Sequence, residues 1–198
     1  TKKITIIEPR RAALGMATSK TASFWLTETV ELTVADTMGS GTLDLGAYVD
    51  VGDQQAVAIE EVDFIVQVRN TADDTYSNSL SGAMVGNTGI GTQLVDLNPG
   101  GLMVRADDQS LVASGVTYYN DADHIASVGP DLYPDTFGKL DQARMIVNDS
   151  LYVVSQFHTA VLNANRSLVV TVRIKARIVK LSTKDWIAIA VQSTAADN

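Results

Sequence analysis

The sequence predicts an all-β chain folded as an antiparallel β-sandwich, and three observations predict it. The first is the stretch 167–181. Leu168, Val170, Val172, Ile174, Ala176 and Ile178 alternate there with Thr171, Arg173, Lys175 and Arg177. A period of two means one apolar and one polar face, and it is sustained over a strand of roughly 45 Å. The second is 57–69, where Val62, Phe64, Val66 and Val68 alternate with Glu61, Asp63, Gln67 and Arg69, Ile65 being an apolar exception. The third is composition: Val, Ile and Thr are abundant, helical periodicity is scarce, and no αβ alternation appears.

Residues 1–22 read as an arm, since Pro9 and the Arg10-Arg11 pair interrupt any strand begun at Thr5-Ile6-Ile7. Residues 23–198 read as a single domain. Residues 24–34 form its first core strand, with Leu26, Val30, Leu32 and Val34 inward. Met38-Gly39-Ser40-Gly41 reads as a turn, and 43–51 as a short strand or ordered loop. After 57–69 the polar run 70–78 reverses the chain. Short strands are expected at 80–85, 93–97, 102–105 and 111–119, with 86–91 a glycine loop and Asn98-Pro99-Gly100-Gly101 a turn. A long loop spans about 120–140 and holds two of the four prolines. Strands follow at 143–147 and 150–157, and Asn163-Ala164-Asn165 turns into the long strand. Ser182-Thr183-Lys184-Asp185 then has the form of a capping box, opening either a short helix or a final strand over 186–191. About eight strands of uneven spacing with one long loop fit a jelly roll.

Composition excludes several function classes. With 198 residues, 45% of them hydrophobic, the chain can bury a core without disulfide or metal staples. It has no cysteine, which removes thiolate zinc sites and cysteine nucleophiles. No apolar run approaches the roughly 18 residues of a membrane span. The Thr in first position matches removal of an initiator Met, and an intracellular product is expected. The net charge of −8 is unevenly spread. Residues 1–20 hold five Lys/Arg against one acid, and 166–198 hold six against two, whereas 21–165 hold four against 20. Such asymmetry suggests a polyanion or an oriented assembly.

Catalytic and metal chemistry is thin. The two histidines, His124 and His158, have no G-x-S-x-G context, and no enzyme is expected. Gly86 to Gly91 lacks the Gly-Lys-Ser/Thr of a phosphate loop, and no cofactor is expected. Asp121 and Asp123, beside His124, offer two carboxylates where Ca²⁺ wants six or more oxygens, so a solvated acidic loop is the better reading. Glu60 and Glu61 are strand neighbours on opposite faces, which keeps them from acting on one bond. Arg173, Lys175 and Arg177 are the best functional signal. Three like charges about 6.6 Å apart repel, and the arrangement is tolerable if acids or phosphates face them. Those acids come either from a neighbouring strand or from another subunit.

The segment Leu151-Tyr152-Val153-Val154, the turn at Asn163-Ala164-Asn165, the long strand to Leu181 and Ser182-Thr183-Lys184-Asp185-Trp186 resemble the carboxy-terminal end of single jelly-roll viral capsid proteins. The strand 57–68 is similar to an early long strand of such a roll. The resemblance implies a structural coat protein that self-assembles into an icosahedral shell, found in the virion after synthesis in host cytoplasm. Its partners would be copies of itself and other capsid proteins. Lys2, Lys3, Arg10, Arg11, Arg173, Lys175 and Arg177 would line the interior, with weak non-specific contact to nucleic acid or an internal membrane. The arm departs from the family's pattern in being short and only mildly basic. The competing reading is a carbohydrate-binding, lectin-like sandwich, with Trp25, Tyr118, Tyr119 and Trp186 as candidate platforms.

Overall fold

The computed structural model describes residues 17–129 and 143–194 of the chain, the side chains of 192–194 excepted. Among them are thirteen strands: β1 (Thr18–Ser19), β2 (Phe24–Leu32), β3 (Gly39–Asp44), β4 (Gln55–Asn70), β5 (Thr75–Ser77), β6 (Met84–Val85), β7 (Thr88–Val95), β8 (Leu111–Asn120), β9 (Ile125–Val128), β10 (Arg144–Ile146), β11 (Ser150–Phe157), β12 (Val161–Leu162) and β13 (Arg166–Lys180). One helix, α1 (Thr183–Thr194), closes the described chain.

Eight of the strands form the sandwich. One sheet runs β2-β13-β4-β10, with β1 continuing β2's edge of β13 and β5 folded back on β4. The other runs β3-β11-β7-β8, extended by β9. All these ladders are antiparallel. Among the eight, the first strand pairs the last, the second the seventh, the third the sixth, and the fourth the fifth. That nesting is what rolling up one long antiparallel hairpin produces, and it is the jelly-roll connectivity expected from the sequence.

The alternation of β13 works as read as far as Ala176; beyond it Ile178 is half-buried and Val179, on the other side, is buried. Leu168, Val170, Val172, Ile174 and Ala176 lie in the core between the sheets, with Val30, Leu32, Val62, Val68, Leu94, Leu151, Val153 and Phe157. A second cluster occupies the outer side of the β2-β13-β4-β10 sheet. Ala56, Ala58, Val147, Val179 and Leu181 meet Ala17, Met145, Trp186 and Ile189 there, so α1 lies on the sheet's back. The helix begins at a true cap: Ser182 Oγ accepts from the Asp185 backbone N–H at 3.2 Å and donates to Asp185 Oδ2 at 2.7 Å. This decides for the helix over the final strand.

Other expectations are corrected. Val34 lies beyond β2 and is exposed. Gly39 and Gly41 belong to β3 and not to a turn. A Cβ on Gly39 would sit 2.5 Å from both Leu32 Cδ2 and Val30 Cγ1, so glycine is there for close packing against β2. In the expected glycine loop, only Gly86 keeps a left-handed turn (φ 101°), while Gly89 and Gly91 are inside β7. No strand forms at 102–105. The Gln93 side-chain amide substitutes for a partner strand, donating to Val104 O at 2.9 Å and accepting from Val104 N–H at 2.8 Å. The start of the expected long loop is the β8–β9 hairpin; residues 130–142 lie outside the described residues.

Candidate functional site

The cationic strand face is built by β13 and its two neighbours. Register places Lys175 opposite Glu61 and Trp25, and Arg173 opposite Asp63 and Thr27. Between Lys175 and Ala176 the register against β4 shifts: Lys175 meets Glu61, but Ala176 meets Ile59. Glu60 is the extra residue of this β-bulge. Strict alternation would turn it away from Glu61. The bulge brings it round, and Glu60 pairs with Arg177 on the same outer face where Glu61 pairs with Lys175 at 3.8 Å.

Each of the three cations therefore has a partner within the chain. Arg177 pairs Glu60, whose side chain is 8% exposed, and also donates to Ser23 Oγ at 3.1 Å. Ser23 Oγ in turn donates to Glu60 Oε2 at 2.7 Å. The Arg173 guanidinium lies 4.6 Å from the centroid of the Trp25 ring. Farther along the same face, Arg69 bridges Glu31 at 3.0 Å and Asp74 at 2.7 Å. The Ser167 hydroxyl first, and then Arg69, hold the Glu31 carboxyl below the usual range. Of the two sources left open for the facing acids, the neighbouring strand supplies them. Lys2, Lys3, Arg10 and Arg11 lie outside the described residues.

The remaining candidates are placed as follows. His158 Nδ1 is 2.7 Å from Asp36 Oδ1 on the surface, and His124 sits at the β8–β9 turn with φ 53°. Asp121 accepts from the Gly86 backbone N–H at 2.9 Å and from the Tyr119 hydroxyl at 3.2 Å. Asp123 accepts from Asn120 Nδ2 at 2.8 Å. Both carboxylates thus fix loops. Among the described residues no cluster of three or more His, Asp or Glu side chains is arranged to hold a metal.

Two features escaped the sequence reading. Exposed apolar side chains stand on both faces of the β8–β9 hairpin: Tyr118 (50% exposed) and Ile125 (58%) share one face and one cleft, Val128 (79%) is on the opposite face, and Val85 and Val161 are exposed on the nearby β6–β12 pair. The Asp121–Gly86 hydrogen bond ties the two pieces together. Tyr118 lies between glycines, since a Cβ on Gly129 would sit 2.5 Å from its ring and one on Gly89 3.3 Å. At the other end, Asp96 is buried after β7 beside Arg144 at 3.5 Å, and desolvation pushes its carboxyl up to about 6.

No protein-family model matches the chain, and no curated protein matches it. Among solved structures it is similar to VP1 of Trichodysplasia spinulosa-associated polyomavirus in complex with GM1 oligosaccharide, at 10% identity over 84% of this chain and 97% of that one (TM-score 0.43). It is similar to Nora virus at 10% identity over 91% and 66% (TM-score 0.34). It is similar to Desmodium yellow mottle tymovirus at 6% identity over 91% and 96% (TM-score 0.31). These are viral capsid proteins, and the likeness to them is distant.

Proposed function

We propose that the chain is a structural coat protein whose copies assemble into a closed shell. The observation that carries this is the number of exposed apolar side chains around one end of the sandwich: Tyr118 and Ile125 on one face of the β8–β9 hairpin, Val128 on the other, and Val85 and Val161 on β6–β12. Exposed apolar side chains on both faces of one end offer contact surfaces to other copies. A rigid sandwich with contact patches on its ends and edges needs only weak pairwise contacts, because closure multiplies them. The sequence resemblance to single jelly-roll capsid proteins supports the same reading.

In this reading the basic segment with Lys2, Lys3, Arg10 and Arg11 faces the interior and meets nucleic acid or a membrane through non-specific charge. Arg173, Lys175 and Arg177 contribute a residual field, weakened by Glu60, Glu61 and Asp63. The virion is then the protein's place. Purified protein examined by light scattering and negative stain across a range of concentration and salt tests this. Closed particles or discrete multi-copy assemblies are the expected result, and a strict monomer under all conditions would overturn it.

The carbohydrate-binding reading keeps two of its four aromatic candidates on the surface. Tyr119 is buried and Trp186 packs from α1 onto the sheet, whereas Trp25, 44% exposed, stacks with Arg173 and Tyr118 presents half its surface to a cleft of about 530 Å³. Monomeric protein whose glycan binding is lost on Tyr118→Ala would favour that reading.

A further inference from the structure

The end of the sandwich away from the β8–β9 turn holds a cavity of about 510 Å³ between the loops after β3, after β7 and before β11. Val49, Val51, Leu97, Val147 and Tyr152 supply much of its lining. Asp96 stands in its wall, 3% exposed, and its Oδ1 has no hydrogen-bond partner among the described residues. Arg144 Nη2 is 3.5 Å from the other oxygen but donates to Gln109 O at 2.6 Å, so its contact with Asp96 is the looser of the two. Asp149, at the cavity's exposed side, accepts from Ser150 Oγ at 3.1 Å.

An unpaired carboxylate oxygen in a protein wall is costly, because neither water nor a donor compensates its charge. The cavity is large for a bare metal ion, its lining mixes apolar with polar side chains, and two carboxylates fall short of the six oxygens that hard cations take. Valines beside carboxylates in one mixed lining suit a different shape: a hydrocarbon stem that packs and a cationic head that pairs. Asp96 is nearly covered, so its pull acts through the wall, where solvent screens it little.

We propose that this cavity binds an aliphatic cation, an alkyl guanidinium or alkyl ammonium, with its head beside Asp96 and Asp149 and its stem on Val49, Val51 and Val147. Two sources share this chemistry. One is a Lys or Arg side chain of the basic segment 1–20, from the same or another copy. The segment joins the described chain at Ala17, which packs on the cluster containing Val147, a residue that also lines the cavity. The other source is a free polyamine. The site is read on the single subunit, and the proposal does not depend on shell assembly.

The test is titration of the full chain with agmatine, an alkyl guanidinium, followed by calorimetry and by thermal shift at pH 7.5. Saturable binding is expected, weakened about tenfold or more in Asp96→Asn and less in Asp149→Asn. Asp123→Asn, at the far end, should bind like the parent. Circular dichroism establishes that each variant is folded. A chain with Lys2, Lys3, Arg10 and Arg11 all changed to Gln then separates the sources. Tighter agmatine binding in that variant shows that the segment competes for the cavity, and unchanged binding assigns it to a free cation. No saturable binding, or equal binding by Asp96→Asn and the parent, overturns the proposal.

Discussion

At the scale of single residues, Asp96 bears the largest electrostatic burden in the described chain. Burial raises its carboxyl from the ordinary 3.8 to about 6, and Arg144 opposes the rise without cancelling it. The folded state thus holds the proton more tightly than the unfolded state does. Stability from this group is full below about pH 4, declines as pH rises to about 6, and stays low above that. Asp96→Asn should therefore stabilise the free subunit at pH 7 by about 2–3 kcal/mol and leave it nearly unchanged at pH 4. Denaturant titrations from pH 4 to 8 check this. A parent more stable than the variant at pH 7 would mean that the Arg144 contact outweighs burial. Gly39 is a second such residue. Its Cβ would meet Val30 and Leu32, both buried, at 2.5 Å, so Gly39→Ala should cost about 1–3 kcal/mol, read as a lowered melting temperature. Neither residue stands out in the sequence. Asp96 reads there as an acid near a turn and Gly39 as the turn itself, because burial and close approach are made by segments distant along the chain.

At the scale of the element, β13 shows how pattern and context divide the work. Its inner face follows from alternation alone, since water is excluded from every second side chain. Its outer face depends on what β2 and β4 place beside it. The bulge at Glu60 makes the three cations unequal. Lys175 and Glu61 have side chains 39% and 34% exposed, so Lys175→Gln should change stability by no more than about 0.5 kcal/mol. Arg177→Gln leaves the buried Glu60 carboxylate with Ser23 as its remaining donor, and should cost about 3 kcal/mol. Equal effects in paired denaturation curves would dismiss the bulge as the source of the difference. The helix obeys the same division. Ser182 and Asp185 announce its start from sequence, whereas its seat on Ala56, Ala58 and Val179 exists only once β4 and β13 are paired.

At the scale of the whole molecule, the sandwich presents different chemistry at its two ends. One has exposed apolar side chains on β8–β9 and β6–β12, and the other has the cavity with Asp96 in its wall. If the apolar end makes the contacts between copies, Ile125→Asp together with Val128→Asp should abolish particles seen by light scattering. Both side chains are exposed in the subunit, so its unfolding free energy should change by less than about 0.5 kcal/mol. Particles formed as before would move the contact to another surface. The end-to-end contrast is only partly legible in the sequence. Charge counts showed an acidic middle between basic ends, but which loops share an end follows from the nested strand pairing.

The sequence alone determined the β character, the two long strands, their inward faces and the capping box after Leu181. Each rests on interactions between residues a few positions apart, and periodicity records those directly. The tertiary structure alone decided that Glu60 turns to Arg177, that Gly39, Gly89 and Gly91 lie in strands, and that Asp96 is buried at a cavity wall. Those outcomes come from neighbours tens of residues away, whose register, packing and exclusion of water no local pattern carries.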